Sequence, residues 1–70
     1  MSNTIHVQFN GRPIDVSPGT SIRQLLDASE IRSQLVAVEL NLEIVPRERH
    51  DHTIVSEGDI IEAVTLVGGG

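Results

Sequence analysis

Cysteine, lysine, tryptophan and tyrosine are all absent from this chain, and Phe9 is its single aromatic residue. Without cysteine there is no disulfide framework, no thiolate nucleophile and no thiolate metal site, a composition that fits a reducing compartment. Without lysine the N-terminus is the only primary amine, so a carboxylate activated on this chain finds almost nothing to acylate on itself or on a sister molecule. Drift in a short, arginine-using sequence explains that absence equally well, but the consequence holds either way. Basic charge is also scarce: the Lys+Arg count of 5 against 10 acids leaves a net charge of -5, and a nucleic-acid binder needs a basic stripe. No run approaches membrane-spanning length, and Met1-Ser2-Asn3-Thr4 leads straight into a strand pattern with no signal-peptide features. The expectation is a cytoplasmic protein whose partners offer basic or neutral surfaces, with no nucleic acid and no membrane among them.

What is present is a small aliphatic core. A chain of 70 residues allows one domain, and at this size only about 60% of the extended surface is buried. Val, Ile and Leu supply most of that core, and there is no room for an enclosed active site with several catalytic groups.

Periodicity supplies the elements. Ile5, Val7 and Phe9 alternate with polar residues as a half-buried strand, and Asn10-Gly11 then signals a tight hairpin. Ile14 and Val16 continue as a second strand, placed at a sheet edge by Pro13, which has no N–H to give. After Ser17-Pro18-Gly19, Thr20 is read as the N-cap of a short helix. Its Ile22, Leu25 and Leu26 share one face, and it ends near Ser29. Ile31 and Leu35 are expected anchors in the return. Val36 to Leu40 alternates as a third strand ending at Asn41, Glu43-Ile44-Val45 makes a brief fourth stopped by Pro46, and Arg47 to His52 reads as a polar surface turn. Ser56-Glu57-Gly58-Asp59 turns into the last strand, with Ile61 and Ala63 facing inward and Glu62, Val64 and Leu66 outward. Helix across one face of a mixed sheet is the resulting expectation, an α+β domain.

Chemistry-bearing clusters are few. His50-Asp51-His52 offers ligand types, yet two histidines two apart share a face only in a strand, so this stretch is expected to be structural or solvated. The serines lie in turns and caps with no nucleophile-elbow context. The terminal Gly68-Gly69-Gly70 is different, because glycine packs nothing and loses the most entropy on ordering. Two readings stand: a frayed end, or a tail kept thin enough to enter a narrow tunnel, carrying its carboxylate about 10 Å beyond Val67. The strand-like run just before it would hold the root of such a tail. Val64 and Leu66, with Ala37 beside them, make an apolar patch at that root and are the candidate partner-docking residues.

Taken together these stretches resemble the ThiS-type sulfur carrier proteins of thiamin biosynthesis, small ubiquitin-like β-grasp proteins. The matching features are the opening strand with Asn10-Gly11, the Thr20-Ile22-Leu25-Leu26 helix, Val36-Ala37-Val38-Glu39-Leu40-Asn41, Ile44-Val45-Pro46-Arg47, Gly58-Asp59 and the ending Val67-Gly68-Gly69-Gly70. The resemblance implies a β-grasp domain over residues 1–67, with a mixed sheet of four to five strands, one main helix and a flexible reactive tail at 68–70. It implies a protein cosubstrate rather than an enzyme. An E1-like adenylating enzyme would activate Gly70, a sulfurtransferase or desulfurase would supply the sulfur that converts it to a thiocarboxylate, and thiazole synthase would consume it. Gly68 and Gly69 would lie in the partner's tunnel. No cofactor is expected on this chain; ATP and magnesium belong to the adenylating partner. Alternatives with the same ending are a molybdopterin-synthase small subunit, a ubiquitin-like modifier and a non-reactive interaction domain. The chain departs from the family pattern at His50, where many relatives have an aromatic, and near Leu66, where some do; both departures are expected to affect partner fit.

Overall fold

The computed structural model describes residues 3–31 and 36–65. Five strands and one α-helix form in chain order: β1 Ile5–Phe9, β2 Arg12–Val16, α1 Ile22–Ala28, β3 Val36–Leu40, β4 Glu43–Val45 and β5 Ile60–Thr65, with a 3-10 turn at Arg47–Arg49 between β4 and β5. The sheet order is β2-β1-β5-β3-β4. The last strand of the chain is therefore the central one, parallel to β1 and antiparallel to β3. β2 is an edge, as Pro13 demands. The arrangement is the ubiquitin-like β-grasp.

One face of the sheet meets the helix. Val7, Phe9, Val36, Val38 and Ile61 project from the strands onto Ile22, Leu25 and Leu26, with Ala63, Leu40 and Ile31 packed around them. The anchors expected from alternation are thus buried or half-buried against this core; Leu35 lies outside the described residues.

The helix begins one residue later than expected. Ser21, not Thr20, is the N-cap: its hydroxyl accepts from Gln24 N–H (3.1 Å) while the Gln24 side chain accepts from Ser21 N–H (3.0 Å), a reciprocal capping box. Thr20 is already engaged, donating its hydroxyl to the Ser17 carbonyl at 2.7 Å to close the preceding turn. The two other free N–H groups of the first turn find carbonyls far along the chain, Ile22 at Thr53 (2.9 Å) and Arg23 at His50 (3.0 Å). Val55 N–H returns a bond to the Thr20 carbonyl, and Val55 is itself buried. At the other end Glu30 takes φ +61, and Ile31 and Glu30 donate to the Leu26 and Asp27 carbonyls, a Schellman stop that turns Ile31 back onto the core.

The polar turn at 47–52 corrects a second expectation. His50 is not a surface residue: it is 1% exposed, with Nε2 3.0 Å from the Val45 carbonyl and Nδ1 without a partner. Asp51 and His52 stay exposed, Asp51 facing the Arg23 guanidinium at 3.5 Å. The three side chains of His50-Asp51-His52 thus serve different surroundings. Position 50 is therefore a packing position next to the end of β4.

Both two-residue hairpins use residues of positive φ. Asn10 and Gly11 (φ +52 and +82) join β1 to β2, and Asn41 and Leu42 (φ +52 and +72) join β3 to β4. Glycine is free to adopt that geometry, whereas for leucine it costs on the order of 1 kcal/mol. The turn at 56–59 is closed differently. The His6 N–H donates to the Glu57 carboxylate at 2.9 Å and this bond holds the Glu57 pKa below its ordinary value.

The capping assignment is directly testable. Ser21→Ala removes one side of the box and should lower stability by about 1 kcal/mol in denaturant titration. Should Ser21→Ala cost nothing, the helix does not start where the structure places it.

Candidate functional site

The candidate site is the end of β5 and the sheet face turned away from the helix. Alternation along the central strand sends Ile61 (0% exposed) and Ala63 to the core and leaves Ile60, Glu62 and Val64 on the outer face. Val64 is 60% exposed and its cross-strand partner in β3 is Ala37, so two of the expected docking residues are brought side by side. Thr65, the last described residue of the strand, is opposite Val36, at the start of β3. Leu66, Val67, Gly68, Gly69 and Gly70 lie outside the described residues.

The two sides of β5 are held unequally. Against β3 the ladder runs the whole length of the strand, from Leu40–Ile61 to Val36–Thr65. Against β1 it covers only Gln8–Ile60 and Phe9–Ile61, because the chain leaves for its hairpin at Asn10. Asn10 extends that contact by one step: its N–H donates to the Ile61 carbonyl (2.9 Å) and its Oδ1 accepts from Ala63 N–H (2.8 Å). A turn residue thus anchors the central strand just before Val64. Whatever follows Thr65 leaves from a strand fixed on its β3 side to its last described residue.

The outer face also carries features that sequence reading passed over. Glu39 and Glu62 are directly opposite each other on β3 and β5, between the Ala37–Val64 pair and the far end of the sheet. Like charges so placed repel. Among the described residues the ion pairs are made by His6 and Arg23, and neither glutamate has one. Beyond them Ile60 (45% exposed) and Ile44 (64%) are apolar and outward, and Leu42 (87%) stands at the hairpin tip. Alternation about Ile61 and Val45 contained the signal for the first two; the Asn41-Leu42 pair, standing where Asn-Gly is ordinary, contained it for the third.

This geometry defines a class: a β-grasp domain presenting its C-terminal strand from the middle of the sheet, beside an apolar and acidic face. The chain belongs to the ThiS family, whose model matches residues 7–70. It is 35% identical over 65 residues to the sulfur carrier protein ThiS of Bacillus subtilis, covering 91% of this chain and 98% of that one. It is also 39% identical over 62 residues to a thiazole synthase of Paramagnetospirillum magneticum, covering 89% of this chain but 19% of that much longer one. Among solved structures, the crystal structure of the thiamine biosynthesis protein ThiS from Geobacter metallireducens superposes with a TM-score of 0.80 at 35% identity, covering 94% of this chain and 100% of that one. No helix among the described residues is long and apolar enough to cross a membrane.

The two faces of β5 can be separated by mutation. Val64→Asn should leave the thermal midpoint almost unchanged, since surface substitutions usually stay within about 0.5 kcal/mol. Ile61→Asp should abolish cooperative unfolding by placing an unpaired carboxylate in the core. A folded Ile61→Asp chain would mean that the faces are assigned the wrong way round.

Proposed function

We propose that this chain is a sulfur carrier of thiamin biosynthesis, a protein cosubstrate whose C-terminal Gly70 is adenylated and then converted to a thiocarboxylate that supplies sulfur for the thiazole ring. The observation that carries this reading is that the family match runs through to the terminal glycine, so the likeness includes the tail as well as the domain. A carboxylate is a poor electrophile. Its attack on the α-phosphorus of ATP, with loss of pyrophosphate, gives the acyl-adenylate of Gly70; sulfur then takes the place of AMP. ATP and magnesium are used by the E1-like adenylating partner, and a sulfurtransferase or desulfurase provides the sulfur.

Each part of the chain has a role in this scheme. Gly68 and Gly69 carry no side chains to obstruct entry into the nucleotide site, and the β3 ladder fixes the strand from which they depart. Val64 and Ala37, side by side near that root, would dock the partner, and Leu66, outside the described residues, is assigned the same role from its sequence position. The absence of lysine leaves the activated terminus no side-chain amine on a sister molecule to attack it. Thiazole synthase is the acceptor in this reading, supported by the relative of that name whose own chain contains a stretch similar to this one. The scheme is a cytoplasmic one.

Intact mass spectrometry tests the chemistry. With ATP, the adenylating enzyme and a sulfur source, the full chain should gain the sulfur-for-oxygen mass difference, and a chain ending at Gly69 should gain nothing. Sulfur gained equally by the shortened chain would place it on another atom and end this reading.

Tail width is tested separately. Gly69→Val should melt with the parent protein yet resist adenylation, because a β-branched side chain is stiff and wide where backbone alone must pass. Equal adenylation rates for the two chains would show that thinness is not required.

A further inference from the structure

We propose that Leu42, at the tip of the β3–β4 hairpin, is an apolar anchor that seats in a hollow of thiazole synthase rimmed by arginine or lysine. This inference rests on the sulfur-carrier function proposed above and assigns to that partner a contact distinct from the tail.

Three observations converge on it. The first is the backbone. Asn41-Leu42 and Asn10-Gly11 are the same kind of two-residue turn with closely similar φ values, yet one holds glycine and the other a branched side chain in the left-handed region. The Leu42 side chain itself gains little packing among the described residues, because it is 87% exposed. A strained residue is retained only where the surroundings hold it or a function uses it.

The second observation is that the tip is held firmly. Asn41 accepts from Ile60 N–H through Oδ1 (2.9 Å), donates through Nδ2 to the Asp59 carboxylate (3.0 Å) and donates its own N–H to the Ile60 carbonyl (2.8 Å). Leu42 is thus presented on a turn tied to the central strand, which limits the ordering entropy lost when it is buried in a partner.

The third observation is the company it keeps. Ile44 and Ile60 are exposed on the outer face near the tip, and the carboxylates of Glu39 and Glu62 share that face with them. An apolar anchor in an acidic setting complements an apolar hollow with a basic rim. The tip lies roughly 15–20 Å along β3 from the tail root, so a protein that grips only the tail and the Val64–Ala37 patch does not reach it. Thiazole synthase is the occupant assigned because a relative with that name contains, within its own longer chain, a stretch similar to nearly all of this one.

The test uses the full chain with purified thiazole synthase and, in parallel, with the adenylating enzyme. Leu42→Asn tolerates positive φ but is polar, Leu42→Gly removes the strain altogether, and Leu42→Met keeps an apolar side chain. The Asn and Gly variants are expected to melt no lower than the parent protein while binding thiazole synthase about tenfold more weakly. Leu42→Met is expected to bind within about threefold of the parent, and all three chains are expected to acquire sulfur on Gly70 at the parent rate. The parent affinity should fall as salt is raised, and less steeply for Glu39→Gln.

Unchanged affinity of Leu42→Asn and Leu42→Gly for thiazole synthase would overturn the anchor. So would a loss seen instead with the adenylating enzyme, which would identify a different occupant. Should the parent chain itself acquire no sulfur and bind no thiazole synthase, the sulfur-carrier reading falls and the anchor falls with it; a parent that does both while the Leu42 variants match it sinks the anchor alone.

Discussion

The structure depends on the position of β5. It is the last strand among the described residues and the middle strand of the sheet, and the hydrogen bonds joining the β1–β2 hairpin to the β3–β4 hairpin pass through it. A parallel partner cannot be supplied by a tight turn, so the chain must make its helix and second hairpin before β1 and β5 can meet. The parallel register is short, and it is reinforced outside the strands by the Gly58 N–H bond to the His6 carbonyl (2.7 Å) and by the side chain of Asn10. The same constraint has a functional result: a terminus that leaves from a central strand has a root anchored by the whole fold, whereas one that leaves from an edge strand would be the first part to fray.

The helix imposes the second requirement. With seven residues it is too short to be stable alone, and its exposed first-turn N–H groups need acceptors. Carbonyls of the 50–53 segment meet two of them, which explains why a stretch that reads as polar and superficial contains the buried His50 and runs into the buried Val55. Connecting the helix to that segment also fixes where β5 begins, since only the turn at Ser56–Asp59 separates them. Helix cap, loop and central strand therefore form one connected unit.

These relations explain which parts of the molecule were legible in the sequence. Strand faces were, because period-two alternation determines them: Ile61 inward, Val64 outward and Ala37 beside it all follow from counting. The helix start was not read correctly, although Ser21-x-x-Gln24 is a capping box in plain view, because Thr20 also has a capping side chain and only the structure shows that Ser17 has claimed it. His50 was illegible for a different reason. Its burial comes from long-range bonds between the 50–53 loop and the helix terminus, and no local pattern encodes those. At the site, the outward position of Val64 was readable and its place beside Ala37 was expected, whereas Leu42 became informative only once its φ and its exposure were known together.

The outer face shows how stability and presentation can diverge within one small domain. Glu39 facing Glu62 and Leu42 in the left-handed region each weaken the isolated fold, by amounts on the order of 0.5–1 kcal/mol apiece. In a domain of this size the total stability is only several kcal/mol, so two such terms are not negligible. The strand core is built of aliphatics and Phe9 and the capping box is complete, but buried His50 keeps an Nδ1 without a partner and Glu30 takes φ +61 at the helix stop. Local conflicts are therefore not confined to the face that carries no helix. The two hairpins differ in kind: Asn10-Gly11 is ideal, while Asn41-Leu42, tied by Asn41 to the central strand, holds a branched side chain at positive φ. What sets the Asn41-Leu42 turn apart is that its strained residue is large, apolar and exposed, whereas the unpartnered His50 nitrogen is enclosed by the fold.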